Sequence, residues 1–261
     1  MGERTVTIDA WRPTNVLQRG AARSNEGLGR VNANRPLMPT ARPLVVGVAG
    51  GSASGKTTLV RALRQLLGGL SISLLHHDDY YRDLSHLPPS RRARSNFDRP
   101  SALDSRRLAR DLRALRAGEA VEVPCYDFRT HTRRTETRRI RPAELILVEG
   151  MLLLAVPSLR RLLDVKVFVE APADVRLARR IKRDLGPARG RTLRSVLGQY
   201  LSTVRPMHDR YVAPSRKHAD VVVTDALDVR QAERLARRIR RRLARQAPGA
   251  SCTRRHSASP R

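Results

Sequence analysis

The stretch that decides the fold reads Gly50-Gly51-Ser52-Ala53-Ser54-Gly55-Lys56-Thr57. It fits the pattern G-x-x-x-x-G-K-[ST], and it lies between an apolar run and a helical pattern, which is the context the pattern requires. The glycines let backbone N–H groups turn toward phosphate oxygens, and the start of the following helix adds a favourable dipole. Lys56 can then reach the β- and γ-phosphates, while the Thr57 hydroxyl can ligate Mg²⁺. The stretch therefore predicts a phosphate-binding loop for a nucleoside triphosphate.

Apolar runs and helical patterns alternate outward from this loop. The runs predict strands over residues 43–49, 70–75, 144–148, 165–169 and 219–223, and hairpin arms over 120–124 and 135–140. Helical spacing of apolar residues predicts helices over 57–67, 102–117, 174–184, 193–204 and 229–246. This alternation predicts an α/β fold, a P-loop NTPase-type parallel sheet with helices on both faces. Ligands of such sheets bind at the carboxyl ends of the strands.

Basic residues outnumber acidic ones by a wide margin. The 261 residues include 52 Lys+Arg and 24 Asp+Glu, a formal net charge of +28. Such a charge attracts nucleic acid or acidic membranes non-specifically. The alternative, a basic protein that binds small phosphorylated molecules, is the one the phosphate loop favours. No apolar run approaches the roughly 18–20 residues of a membrane span, and two cysteines, Cys125 and Cys252, cannot form a disulfide framework. We therefore expect a cytoplasmic protein without membrane contact.

The two ends of the chain differ from its centre. Residues 1–42 have no sustained hydrophobic period, which predicts a disordered or loosely docked extension. Residues 229–261 carry eleven Arg and one Glu, and their apolar residues predict an amphipathic helix to about residue 246 with an Arg-rich outer face. Residues 247–261 are predicted to be a disordered basic tail, which leaves 43–246 as the folded domain.

Two predicted strands end in carboxylates suited to phosphoryl transfer. Glu149 closes the apolar run Leu145–Val148, so it should lie near the phosphates as a metal ligand. Asp78 and Asp79 follow the second strand, and an Asp facing the γ-phosphate could take the proton of an attacking hydroxyl. Adjacent residues of an extended segment point to opposite sides, so only one of the two should face the site. The alternative is a structural role, because Asp is also common in turns and helix caps. These residues alone therefore leave the role of the pair open.

Six stretches, in order along the chain, extend the pattern beyond the phosphate loop. They are GVAGGSASGKTT (47–58), DDYYRD (78–83), NFDRPSALD (96–104), YDFRTHTR (126–133), VEGMLL (148–153) and QYLSTVRP (199–206). Together they resemble the uridine kinases, or uridine–cytidine kinases, of the P-loop nucleoside kinase superfamily. The YDFxxHxR and NFDxP segments are more specific to that family than the phosphate loop is. The resemblance runs from about residue 43 to 223 and leaves both ends of the chain outside it.

The resemblance implies an activity, its cofactor and its partners. It implies transfer of the γ-phosphate of ATP or GTP to the 5′-hydroxyl of uridine or cytidine, with Mg²⁺, to give UMP or CMP in pyrimidine salvage. It further implies a homo-oligomer, often a tetramer. The family usually has a Pro-Arg-Gly-like loop near the donor base after the last strand. Here that loop reads Thr224-Asp225-Ala226-Leu227-Asp228, so the choice between ATP and GTP stays open.

The resemblance also assigns roles to individual residues. The catalytic residues it implies are Asp78 as general base, Lys56, Arg180 and Arg183. The nucleotide-binding residues are Gly50, Gly51, Ser52, Ala53, Ser54, Gly55, Lys56, Thr57, Thr58, Arg189 and Arg191. The nucleoside-binding residues are Asp78, Tyr81, Phe97, Asp98, Tyr126, Phe128, His131, Met151, Arg180 and Gln199. The metal-side residues are Thr57, Glu149 and Asp78.

The resemblance also implies how Asp98, the hairpin residues and the arginines would act. Asp98 would accept hydrogen bonds from the ribose 2′- and 3′-hydroxyls and so disfavour 2′-deoxyribose. The predicted hairpin would be a small substrate flap that holds the pyrimidine with Tyr126, Phe128 and His131; the alternative is an aromatic hairpin packed on the core. Arg180 and Arg183 share one helix face and, with Arg189 and Arg191, form a predicted Arg-rich lid; the alternative is a solvated basic face.

Two other functions remain as alternatives. One is a P-loop kinase for another small molecule, like the phosphoribulokinases, pantothenate kinases or nicotinamide riboside kinases. The YDFxxHxR segment argues against it, because in the family this segment binds a pyrimidine. The other is a nucleic-acid-binding ATPase that uses the basic tail. The chain lacks the aromatic-interleaved basic motifs of common RNA-binding modules, so nucleic acid is not expected to be the main partner.

Overall fold

The computed structural model describes residues 42–187, 189–224, 226 and 228–246. Five parallel strands form its central sheet in the spatial order β2-β5-β1-β6-β7. They are β1 (Leu44–Gly50), β2 (Ile72–His76), β5 (Leu145–Glu149), β6 (Val165–Val169) and β7 (Val221–Val223). A separate antiparallel hairpin consists of β3 (Val121–Asp127) and β4 (Thr132–Ile140), longer than predicted at both arms. The predicted parallel sheet is confirmed.

Helices cover both faces of the sheet. Their bounds are α1 (Lys56–Leu66), α2 (Pro89–Ala93), α3 (Ser105–Arg116), α4 (Pro157–Arg160), α5 (Ala173–Leu185), α6 (Leu193–Gln199), α7 (Arg205–Met207), α8 (Ala213–Ser215) and α9 (Val229–Gln246). Alternate residues of β1 point to opposite faces. Leu44, Val46 and Val48 join the apolar cluster that contains the buried residues of α1 and α9. Val45 and Ala49 join the cluster that contains those of α3 and α4. The sheet is therefore apolar on both sides, as a covered parallel sheet must be.

Two predicted helices differ from the structure by more than one residue at an end. The helix predicted from residue 102 begins at Ser105, because residues Pro100–Ala102 form a 3₁₀ turn and the Asp104 side chain caps α3 by accepting a hydrogen bond from the Arg107 N–H (3.1 Å). The helix predicted over 193–204 ends as an α-helix at Gln199. It continues through π-helical turns at Tyr200–Val204 and His208–Val212, with α7 and α8 between and after them, to a 3₁₀ turn at Arg216–His218.

This long helical segment was not predicted beyond residue 204. Pro206 and Pro214 lie within it, and proline interrupts a regular helical pattern because it lacks an N–H and clashes with the preceding turn. Here each proline lies in a short α-helical turn that directly follows a π-helical turn, so the helix type changes where the proline N–H is missing. The π-helical turns separate the short α-helical turns and keep the segment continuous.

The predicted ends of the domain are described only in part. The closing helix α9 is confirmed: Ala232, Leu235, Ala236 and Ile239 are buried, while its arginines are exposed. The predicted extension over 1–42, apart from Arg42, and the predicted tail over 247–261 lie outside the described residues. Among the residues that the structure describes, none of the helices has the length and apolar character needed to cross a membrane.

Candidate active site

A cavity of about 790 Å³ opens at the carboxyl ends of β1, β2 and β5. Most of the predicted site residues line it: Ser52, Ala53, Gly55, Lys56, Thr57, Thr58, Asp78, Tyr81, Phe97, Asp98, Tyr126, Phe128, His131, Glu149, Met151, Arg180, Arg183, Arg189, Arg191 and Gln199. Three predicted nucleotide-binding residues, Gly50, Gly51 and Ser54, do not line it. They form the inner side of the phosphate loop, where Ser54 is buried. Residues between Ser52 and Gln199 in the sequence thus meet at one edge of the sheet, as the position of strand ends predicts.

The phosphate loop owes its shape to two glycines. Gly55 precedes α1 with a φ of 104°, and a Cβ there would lie 2.6 Å from the Cβ of Ala226. Gly50 has a φ of 144°, and a Cβ there would lie 2.3 Å from the carbonyl oxygen of Val169. Both positions therefore require glycine. Within the loop, Lys56 Nζ donates a hydrogen bond to the Gly51 carbonyl (2.7 Å), and burial lowers the pKa of Lys56.

Glu149 and Thr57 form the arrangement predicted for a metal. The Glu149 Oε1 atom accepts hydrogen bonds from Thr57 Oγ1 (3.2 Å) and, through Nδ1, from His76 (2.7 Å). Its second oxygen, Oε2, is buried and has no hydrogen-bond partner among the described residues. A buried oxygen without a partner beside a hydroxyl fits a hard cation such as Mg²⁺. Mg²⁺ is bound by one or two carboxylates together with substrate phosphates, so a larger protein cage is not needed.

His76 was not among the predicted site residues. It lies directly opposite Glu149 in the sheet, because β2 pairs with β5 in parallel register. The hydrogen bond to Glu149 raises the pKa of His76, and burial opposes that shift. Burial works against ionisation of Glu149, but the bond from His76 and the nearby charges outweigh it and lower the pKa of the carboxyl. Register between predicted parallel strands is the one signal from which this contact could have been inferred.

Asp78 and Asp79 lie on a 3₁₀ turn, His77–Tyr80, rather than on an extended segment. Both carboxylates border the cavity, so the prediction that only one of them would face it is wrong. Their partners differ. Asp79 pairs with Arg138 of β4 (3.2 Å), whereas Asp78 makes no hydrogen bond or ion pair with another described residue. Burial raises the pKa of Asp78, and the charge of Lys56 opposes this rise.

Aromatic rings line the part of the cavity next to the hairpin. Phe97 stacks on His131 with centroids 4.6 Å apart and planes at 19°. Tyr81 contacts Phe97 edge-on at 5.6 Å and Tyr126 at 5.2 Å. Tyr81 and Tyr126 also belong to the apolar cluster that contains the buried residues of α3 and α4. These two rings therefore both pack on the core and line the cavity. Beside them, Asp98 is buried and accepts a hydrogen bond from Thr203 Oγ1 (3.3 Å).

Arg133, which was not among the predicted site residues, joins the hairpin to the segment that follows the 3₁₀ turn after β2. Its Nε donates to the Tyr81 carbonyl (2.7 Å), and its backbone N–H donates to Asp83 (3.0 Å). His131, at the hairpin turn, has a φ of 56°, a left-handed conformation that L-residues adopt at a cost. The His131 ring stacks on Phe97 next to these contacts. These contacts place the hairpin at the cavity, while its proposed action as a flap stays a prediction.

The predicted lid arginines reach across the cavity. Arg180 Nη1 donates to the Ser52 hydroxyl of the phosphate loop (2.9 Å), and its Nη2 donates to Gln199 Oε1 (2.8 Å). Arg191 donates to the same Gln199 oxygen. Arg180 is buried, so for this residue the alternative of a solvated basic face is wrong. Asp184, which lies between the arginines, was not among the predicted site residues.

A phosphate loop whose threonine contacts a carboxylate, a second carboxylate after the neighbouring strand and arginines across the cavity define a P-loop kinase site for a small acceptor. The family model described as "Phosphoribulokinase / Uridine kinase family" matches residues 45–232, and the chain belongs to that family.

The relatives agree with this assignment. A uridine kinase of Chloroflexus aggregans is 51% identical over 180 residues, which are 69% of this chain and 86% of that protein. A uridine kinase of Ligilactobacillus salivarius is 43% identical over 184 residues, 70% of this chain and 86% of that protein. Phosphoribulokinase from Rhodobacter spheroides has the same fold at 19% identity, with a TM-score of 0.53 over 72% of this chain and 74% of that one.

Proposed function

We propose that this chain transfers the γ-phosphoryl group of ATP to the 5′-hydroxyl of uridine or cytidine, giving UMP or CMP and ADP. The observation that carries the proposal is the meeting, in one cavity, of the phosphate loop, Asp78 and the stacked Phe97–His131 pair beside Asp98. The names of the relatives, uridine kinases at up to 51% identity, support the same substrate class.

The reaction needs a proton acceptor, a held phosphate chain and charge neutralisation. Asp78 takes the proton of the 5′-hydroxyl as its oxygen bonds to the γ-phosphorus, and the bond from that phosphorus to the oxygen bridging to the β-phosphate breaks. Lys56 and the loop N–H groups hold the β- and γ-phosphates. Arg180 and Arg183 stabilise the negative charge on the transferred group.

Mg²⁺ would be held by Thr57 and Glu149, with Asp78 on the metal side of the site. When bound, it neutralises phosphate charge and orients the donor. His76 donates a hydrogen bond to Glu149 and thereby fixes the orientation of the carboxylate. Glu149 Oε2 is then the oxygen left for the cation.

The acceptor is recognised at its sugar and at its base. Asp98 accepts from both ribose hydroxyls, because a carboxylate offers two oxygens. The Phe97–His131 stack, with Tyr81, Tyr126, Phe128 and Met151, encloses the pyrimidine. Burial lowers the pKa of His131, which favours the neutral ring. A neutral imidazole donates or accepts according to tautomer, so it suits both uracil O4 and cytosine N4.

Asp98→Ala should lower kcat/KM for uridine by roughly ten- to hundredfold, since hydrogen bonds to a charged group are worth about 1.5–3 kcal/mol. The same change should affect 2′-deoxyuridine much less, because that nucleoside never makes the 2′-hydroxyl contact. Steady-state kinetics with both nucleosides measure the ratio. Glu119→Ala, an exposed carboxylate outside the cavity, is the control. An unchanged ratio of the two kcat/KM values would exclude contact of Asp98 with the 2′-hydroxyl, and unchanged kcat/KM values for both nucleosides would remove Asp98 from ribose recognition.

His76→Ala should raise the Mg²⁺ concentration for half-maximal rate about tenfold, the lower end of the effect of losing an outer-shell partner of a metal ligand. His76→Asn should be milder, because its Nδ2 group can donate from nearly the position of the imidazole Nδ1. Magnesium titrations at saturating ATP and uridine measure the shift. His86→Ala, on an exposed loop, should leave the titration unchanged. Equal titration curves for wild type and His76→Ala would contradict the role of His76.

Other parts of the proposal rest on the family resemblance. They are use of GTP as an alternative donor, a role in pyrimidine salvage, a homo-oligomer such as a tetramer, and a cytoplasmic location. Contact of nucleic acid with the basic tail, which lies outside the described residues, is not expected to be the main role.

A product assay tests the function directly. Purified protein is incubated with Mg²⁺, ATP or GTP, and one nucleoside at a time, and the 5′-monophosphates are separated by chromatography. We expect UMP and CMP, and little product from 2′-deoxyuridine, adenosine or nicotinamide riboside. Absence of any nucleoside product, together with ATP hydrolysis stimulated by RNA, would overturn the proposal in favour of a nucleic-acid-binding ATPase.

A further inference from the structure

Asp184, in the last turn of α5, is a fully buried carboxylate (0% exposed) that none of the assigned roles uses. Four guanidinium groups surround it. Its Oδ1 contacts Arg183 Nε (2.8 Å) and Arg189 Nη1 (3.4 Å), and its Oδ2 contacts Arg180 Nε (3.5 Å) and Arg191 Nη1 (3.9 Å). These are the four arginines predicted for the lid. One carboxylate thus joins arginines from a helix and from the loop that follows it.

The cluster needs this carboxylate for electrostatic reasons. Four guanidinium groups at such spacing repel one another, and a buried charge is tolerated only when it is paired. Burial opposes ionisation of Asp184, but the Arg183 hydrogen bond and the other arginines outweigh it and lower the pKa of the carboxyl. Asp184 therefore stays charged and leaves a cluster with a net charge of three positive units, which still attracts phosphate.

The far ends of the same arginines reach other parts of the site. Arg180 donates to Ser52 of the phosphate loop and to Gln199. Arg191 donates to Gln199 and to Ser195 of α6 (2.8 Å). Arg189 lies over the Phe128 ring of the hairpin, 5.4 Å from its centroid. The backbone adds a further tie, because the Arg191 N–H donates to the Asp184 carbonyl (3.0 Å).

Arg183 differs from the other three. It contacts Asp184 through Nε, and its two Nη groups make no hydrogen bond or ion pair within the described part of the chain. Arg183 lines the cavity together with Lys56 and Asp78. Within the described residues its Nη groups are therefore free donors at the cavity, and the contact of Nε with Asp184 limits where they can lie.

We propose that Asp184 is the positioning residue of the arginine lid: it accepts a hydrogen bond from Arg183 Nε and offsets the charge of Arg180 at 3.5 Å, so that the Nη groups of Arg183 meet the phosphoryl group in transfer. The inference rests on the proposed function. Donors placed before the reaction stabilise the developing charge without reorganisation. Asp184 does not touch substrate; it acts only through the arginines.

Asp184→Asn tests this because it keeps the size of the side chain and removes its charge. We expect kcat to fall about a hundredfold, the loss that follows displacement of catalytic groups by about 1 Å. KM for uridine should change less than kcat, because Phe97, His131 and Asp98, which are proposed to bind the base and the ribose, do not contact Asp184. Asp184→Glu restores the charge and should recover a measurable part of kcat. Asp174→Asn, an exposed carboxylate in the first turn of the same helix, should behave as wild type.

Three measurements keep the result interpretable. Thermal melts and circular dichroism establish whether each variant is folded at the assay temperature. If Asp184→Asn is unfolded, the comparison of kcat between Asp184→Glu and Asp184→Ala takes its place. Calorimetry without nucleoside measures the affinity for a non-hydrolysable ATP analogue. This affinity should be lower in Asp184→Asn than in wild type and should depend more strongly on salt. Because this binding needs no turnover, failure of wild type to phosphorylate uridine would sink the proposed function while leaving the Asp184 inference open to this test.

Two results would overturn the inference. The first is a folded Asp184→Asn protein with near-normal kcat and normal binding of the ATP analogue. The second is a folded Asp184→Glu protein as defective as Asp184→Ala, which would mean that the shape of the side chain matters and its charge does not.

Discussion

Replacing Asp78 with asparagine should leave both substrates bound and reduce kcat by about a hundredfold to ten thousandfold, the usual contribution of a general base. Asparagine has nearly the same shape but cannot accept the proton of the 5′-hydroxyl. Burial raises the pKa of Asp78, which makes its carboxylate a stronger base than an exposed one, while Lys56 limits that rise. The variant should therefore lose the chemical step and keep the cavity.

The measurement is single-turnover kinetics with ATP and uridine, together with calorimetric binding of each substrate. Asp79→Asn is the matched control, since it neutralises the adjacent carboxylate on the same turn. Asp79 is already paired with Arg138 of the hairpin at 3.2 Å, so its loss should alter stability more than turnover. If Asp79→Asn were the inactive variant and Asp78→Asn the active one, the base would have been assigned to the wrong residue.

The parts of the site that follow from strand ends were predictable. The period of the apolar runs indicated the strands, and parallel strands present their carboxyl ends at one edge. Glu149 and Thr57 could be expected to meet for this reason, and they do, at 3.2 Å. Glycine at positions 50 and 55 indicated a tight loop, which the positive φ values confirm.

Backbone details that depend on tertiary contacts were not predictable. The segment His77–Tyr80 continues an apolar strand in sequence, yet it turns as a 3₁₀ helix. Its backbone is held from outside: the Tyr80 carbonyl accepts the Asp104 N–H (2.8 Å), and Tyr81 bridges to Leu103. No local pattern in residues 77–80 indicates these partners. The prediction for Asp78 and Asp79 failed at this step.

Asp184 was missed for a different reason. In sequence it is one acid beside Arg183 and four positions after Arg180, a spacing typical of an exposed helical ion pair. Its burial depends on Arg189 and Arg191, which approach only because the loop after α5 folds back. The composition of this segment is the same whether its arginines are exposed to solvent or are gathered around the buried Asp184 carboxylate. Folding of that loop makes the difference.

Replacing Lys56 with methionine should lower kcat/KM for ATP by about a hundred- to thousandfold, the usual loss for one donor aimed at developing charge. Methionine keeps an unbranched side chain and removes the ammonium group. Lys56 now donates to the Gly51 carbonyl, and burial lowers its pKa, so the folded loop holds a cation that is short of partners. Phosphate oxygens of ATP would pair with this ammonium group, and the methionine side chain cannot make that interaction.

The control for this change is Lys166→Met, on the neighbouring strand β6, where the ammonium pairs with Asp220 at 3.4 Å outside the cavity. Kinetics at varied ATP and fixed uridine should show the loss for Lys56→Met alone, with KM for uridine nearly unchanged. Loss of ATP affinity with kcat intact would mean that Lys56 binds the donor equally in the ground and transition states. A fall in kcat would instead mean that the Lys56 ammonium group contacts the phosphoryl group during its transfer. Arg183 and Asp78 border the same part of the cavity.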